Sequence, residues 1–136
     1  MVAIAHRKEL VMADKVRPTG GELEILRVLW ARGPSTVRDV HAALGGRTGY
    51  TTVLKLMQIM AEKGHVRRDE SARTHVYAAV VGEEQTQRHL VGDLMERAFG
   101  GSAKKLMVAA LSGRKASRQE LAEIRRLIDE MERGAK

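Results

Sequence analysis

The chain has 136 residues, 43% of them apolar and only 3% aromatic, and it contains no cysteine. That length fits one compact domain or a small domain with an appendage, and the missing cysteines exclude disulfides, thiolate zinc sites and thiol catalysis. A net charge of +7 favours a polyanionic partner, nucleic acid first and anionic membrane second.

No apolar run approaches the roughly 20 residues needed to span a bilayer. The N-terminal stretch MVAIAHRKELVMADK lacks the apolar core of a secretory signal. A cytoplasmic location is therefore expected. Residues 1–17 show weak helical periodicity ending at Arg17-Pro18 and read as a flexible N-terminal extension, with Met12 offering a second start.

Residues 18–81 read as a DNA-binding domain. Thr19 with Glu22 fits a capping box that opens a helix over 19–32. Leu23, Leu26, Leu29 and Trp30 share its inner face, with Ile25 alongside, and Gly33-Pro34 stops it. Trp30 reads as a core anchor. Thr36 with Asp39 opens a second, short helix over 36–44, which turns Val37, Val40 and Leu44 inward. Gly45-Gly46 is a turn. The third helix lies within residues 47–66, with Thr48 placed to cap it and Gly64 to end it. Val53, Leu56, Met57 and Met60 recur at spacings of three and four, which makes one buried stripe. Three helices, the last two joined by a short glycine turn, are the helix-turn-helix pattern.

The opposite side of the third helix carries the candidate chemistry. Thr48, Thr51, Thr52, Lys55 and Gln58, with Tyr50 beside them, offer hydroxyls, a cation and an amide. Such groups donate to phosphates and read base edges in a major groove. After this helix the period changes to two. Val66–Asp69 and Thr74–Val80 read as strands around the turn Glu70–Arg73. A hairpin in that place is a wing, and Arg67, Arg68 and Arg73, with His75 nearby, suit the phosphate backbone.

Residues 82–136 read as a three-helix dimerisation domain. Helices are expected over 83–99, over 102–111 after the break at Gly100-Gly101, and from a Ser117/Glu120 capping box to Arg133, with Ser112–Ala116 as a basic loop. Their apolar faces are too generous for so small a unit, so burial against a second chain is expected. The interface residues are Leu90, Leu94, Phe99, Leu106, Leu121, Ile124, Ile128 and Met131. The N-terminal 81 residues hold 13 basic and 8 acidic groups, against 11 and 9 in the remainder, so the charge excess sits with the proposed reader.

The fold class is thus mainly α with a small β-hairpin wing: an N-terminal winged helix-turn-helix followed by a C-terminal helical dimerisation domain. An enzyme is not expected. His6, His41, His65, His75 and His89 show no metal-ligand spacing, the serines sit at turns and caps, and no phosphate loop is present, so no cofactor or metal is implied. The alternative is a winged-helix protein-interaction module without sequence-specific DNA binding. Its recognition face would carry acidic or large apolar groups, whereas this one carries Thr, Lys and Gln.

Four runs carry a family likeness: GELEILRVLW, STVRDVHAAL, GYTTVLKLMQIMAEKGHV and RTHVYAAV. They resemble the penicillinase-repressor (BlaI/MecI/CopY) family, whose most specific block here is YTTV…KG. FGGS and SRQELAEIRRLI match as well, and the resemblance covers about residues 18–132. It implies a winged-helix transcriptional repressor that binds a palindromic operator on double-stranded DNA as a homodimer. Its recognition-helix positions would fall on Thr51, Thr52 and Lys55, and its wing contact on Arg73. In better-known members a membrane sensor-protease detects β-lactam and the repressor is then cleaved, which makes a membrane sensor-protease or a downstream protease a partner implied by the likeness. Two departures stand out. The cysteine cluster of copper-responsive members is missing. Ala109-Ala110 stands where staphylococcal members have the cleaved Asn-Phe bond.

Overall fold

The computed structural model describes residues 17–113 and 115–134. The flexible extension and the start at Met12 fall on residues 1–16 and so lie outside them, apart from Arg17. The architecture is mainly helical, with one two-stranded antiparallel hairpin. This is the winged-helix pattern with further helices after it.

The first two helices start on reciprocal caps. Helix α1 (Gly20–Arg32) begins where Thr19 Oγ1 accepts the Glu22 amide at 3.2 Å and Glu22 Oε1 accepts the Thr19 amide at 2.9 Å. Helix α2 (Val37–Ala43) repeats the device with Thr36 and Asp39, at 3.0 and 3.1 Å. Each box satisfies two amide donors that a helix start leaves open.

Helix α3 (Tyr50–Lys63) starts later than its sequence suggested. Its cap is Gly49, with no side-chain bond, and not Thr48. The turn explains the shift. Gly45 and Gly46 both take positive φ, and Arg47 Nε donates to the Leu44 carbonyl at 3.2 Å. Thr48 is still part of that turn and is half-buried. At the other end Gly64 adopts the left-handed conformation, φ 87° and ψ 11°, where a side chain is strained.

The core collects Ile25, Leu26 and Leu29 from α1, Val37 and Val40 from α2 with Leu44 just beyond it, Val53, Met57 and Met60 from α3, and Val66 and Tyr77 from the hairpin. Leu44 is the C-cap of α2. Removing such aliphatic side chains from water contributes about 1.5–3 kcal/mol each. Leu23, Trp30 and Leu56 are only half-buried and pack against this centre from its edge. Trp30 is thus an edge anchor, and its Nε1 donates to the Val81 carbonyl at 3.0 Å. Leu56 reaches α1 at Gly21: a Cβ there would stand 3.3 Å from Leu56 Cδ1. The absent side chain lets α1 and α3 approach closely.

Strands β1 (Val66–Asp69) and β2 (Val76–Ala79) pair with Arg68 opposite Tyr77. The second strand is shorter than expected, and residues 70–75 make a longer loop. Tyr77 also exchanges both backbone bonds with Ser35, Ser35 amide to Tyr77 carbonyl at 2.9 Å and Tyr77 amide to Ser35 carbonyl at 2.8 Å. This ties the hairpin to the segment that leads into α2. It also turns the Tyr77 ring inward, where it is 2% exposed.

The chain divides into two compact units at Val91/Gly92, within helix α4 (Glu83–Ala98). Gly100 and Gly101 take positive φ and separate α4 from α5 (Ala103–Ser112), which Ser102 caps through the Lys105 amide at 3.1 Å. Helix α6 (Arg118–Gly134) starts at Ser117, whose Oγ accepts the Glu120 amide at 3.0 Å. Residue 114 of the basic loop lies outside the described residues. Among the expected interface residues, Leu90, Phe99, Leu106 and Ile124 are half-buried, while Leu94, Leu121, Ile128 and Met131 are exposed. Met131 is 70% exposed.

Candidate nucleic-acid interface

Helix α3 has two chemically distinct sides. Val53, Met57 and Met60 fill the core, and their spacing fixes the rotation of the helix. Thr51, Thr52, Lys55 and Gln58 therefore face solvent. Tyr50 opens the helix at 45% exposure, its ring edge-on to His41 with centroids 5.6 Å apart and planes at 78°. Edge-to-face packing of this kind is one of the favoured geometries for two aromatic rings.

The wing carries its cations on a partly neutralised frame. Arg67, Arg68 and Arg73 are all exposed. The side chain of Tyr77, directly across the ladder, is the main hydrogen-bond partner raising the Arg68 pKa above its ordinary value, and Glu70 adds to this through a 2.8 Å bond to Nε. The Asp69 carboxylate accepts the Ser71 amide at 2.9 Å. That bond holds its pKa below the usual value. Arg38, Lys55 and Arg73 form no ion pair with any described residue.

An open cleft of about 560 Å³ lies between the start of α2, the flank of α3 and the wing. Thr36, Val37 and Arg38 form one wall, Tyr50, Leu54 and Gln58 the second, and Arg68, Arg73, Thr74, His75 and Tyr77 the third. No carboxylate lines it. Of the expected site residues, the cleft unites Tyr50, Gln58, Arg68 and Arg73. Thr51, Thr52, Lys55 and Arg67 are exposed outside its lining, and Thr48 sits in the turn before α3.

Sequence reasoning did not single out Arg38 or the inward Tyr77. The position of Arg38 in the first turn of α2 was readable from the Thr36 cap. Its proximity to the wing was not, because that depends on the Ser35–Tyr77 pairing across 42 positions. Among the described residues no group of three or more His, Asp or Glu could hold a metal ion. Nor is any described helix long and apolar enough to cross a membrane.

Comparison with known proteins gives a consistent result. Residues 18–130 match the family model described as Penicillinase repressor. The chain is 33% identical over 119 residues to the transcriptional regulator BlaI of Mycobacterium tuberculosis, in strains H37Rv and CDC 1551 alike, covering 84% of this chain and 86% of that protein. It is 21% identical over 112 residues to an uncharacterized 16.5 kDa protein of Latilactobacillus sakei, covering 81% of this chain and 77% of the other.

Proposed function

The chain belongs to the penicillinase repressor family, and on that premise we propose that it is a cytoplasmic repressor that binds a palindromic operator as a homodimer. The family is one of transcriptional regulators, which are not enzymes. Residues 18–81 are the DNA reader and residues 82–136 the dimerisation region in this reading.

One observation carries it: the solvent side of α3 presents Thr51, Thr52, Lys55 and Gln58 beside a cleft lined by cations and no carboxylate. A helix of this kind inserts its N-terminal turns into a major groove while the wing grips the backbone. The exposed apolar residues of α6 support a second copy as the partner of the C-terminal region, and a two-fold dimer matches a palindrome. Release by a membrane sensor-protease, in answer to β-lactam or another signal, completes the proposal.

The test is binding of the full chain to its own promoter and to random duplex across a salt series. The reading requires tighter binding to the promoter at every salt concentration and a steep fall of both affinities with salt. Equal affinity for both duplexes would remove sequence-specific repression.

A further inference from the structure

We propose that the cleft between α2, α3 and the wing seats a stretch of DNA phosphodiester backbone, and that Arg38 is a phosphate contact within it. The inference rests on the DNA-binding reading and extends it to a residue outside both the recognition helix and the wing.

Three arginines reach this cleft from three separate elements: Arg38 from α2, Arg68 from β1 and Arg73 from the wing loop. Convergence of like charges is unfavourable unless an anion lies between them, since each pair repels and gains nothing from its neighbours. No carboxylate of the lining plays that part. Arg38 and Arg73 have no ion-pair partner among the described residues. Arg68 is engaged by Glu70 at 2.8 Å, so an acidic side chain holds the guanidinium that an incoming phosphate would share. Thr36, Thr74 and Gln58 add neutral hydrogen-bonding groups to the lining. Val37 and Leu54 give it apolar patches. Apolar carbon suits the sugar of a nucleic-acid backbone better than it suits a free hydrated anion, which would lose water there without return. The arrangement also joins the wall to the α3 face directly, because Tyr50 and Gln58 belong to both.

The experiment is fluorescence anisotropy of the full chain with labelled promoter duplex and labelled random duplex, over a salt series. Arg38→Ala is expected to flatten the log–log salt slope by about 0.9 on both duplexes, the signature of one lost phosphate. Arg38→Lys should keep the slope, because it keeps the charge. Glu70→Gln should tighten binding to random duplex by releasing Arg68. An Arg38→Ala slope equal to wild type, with an unchanged thermal melt, overturns the seat. So does a loss confined to the promoter duplex, which would make Arg38 a base contact. Calorimetric binding of inorganic phosphate that Arg38→Ala abolishes, with the DNA slope unmoved, would reassign the cleft to a free anion. If the wild-type chain binds neither duplex, the DNA reading itself falls, which separates the two failures.

Discussion

Lys63 Nζ stands 3.0 Å from each carboxylate oxygen of Glu22, joining the last turn of α3 to the first turn of α1. Glu22 is 1% exposed. The same carboxylate caps α1 through the Thr19 amide. One buried acid therefore fixes a helix start and the far end of the proposed recognition helix together. Lys63→Ala leaves that charge buried with one partner fewer, which costs about 3 kcal/mol. Urea unfolding should show the loss as a lower midpoint with an unchanged slope. A midpoint equal to wild type would show that the pair contributes nothing net.

The same carboxylate makes stability depend on acid. Burial alone would raise the Glu22 pKa; the Thr19 amide and Lys63, with a smaller contribution from nearby His65, outweigh it and hold the value below the usual one. A carboxylate depressed in the folded state contributes stability that is present above its unfolded pKa and lost as pH falls through the folded one. Asp39 shifts in the same direction through its cap bonds to Thr36, and Asp69 through its bonds to Ser71. Stability should thus fall progressively below about pH 4, the ordinary carboxylate range. Glu22→Gln should flatten that fall in thermal melts taken from neutral pH downward. An acid limb as steep as wild type would assign the effect to other carboxylates.

Readout by α3 is tested at Thr52, which is exposed in the first turn. Thr52→Ala removes a hydroxyl and one carbon while keeping the helix, since Ala is the better helix former. Folding stability should hold. Promoter binding should weaken by about 1–3 kcal/mol and relax at one symmetric pair of positions, with random-duplex binding nearly unchanged. Equal losses on both duplexes would make Thr52 a phosphate contact, and no loss on either would mean a different docking of the helix.

The dimer is tested at Ile124 on α6. Leu121, Ile128 and Met131 lie on the same helix, three to seven residues away, and are exposed in the single chain. Ile124→Asp would place a charge in the proposed seam and disfavour association strongly. Sedimentation should show a monomer where the wild type is a dimer, and promoter affinity should drop with it. A variant that stays dimeric would move the seam to Leu90, Leu94 and Phe99.

Local signals determined much of this protein without any tertiary information. Capping pairs placed the starts of α1 and α2, glycine placed the end of α3, and the period of three and four set which side of α3 meets the core. Those features are short-range because a cap or a left-handed turn is decided within a few residues. Thr48 reads as a cap in sequence, yet two positive-φ glycines and the Arg47 bond extend the turn by one residue, to Gly49. Only the tertiary structure decided the rest. Glu22 reads in sequence as a capping acid, but its pairing with Lys63 spans 41 positions. Tyr77 alternates in a strand like its neighbours, and its burial follows from the bond pair with Ser35. Arg38 meets Arg68 and Arg73 in one cleft for the same reason. Contacts between distant segments depend on how helices and strands pack, and no local pattern encodes which exposed cations that packing will bring together.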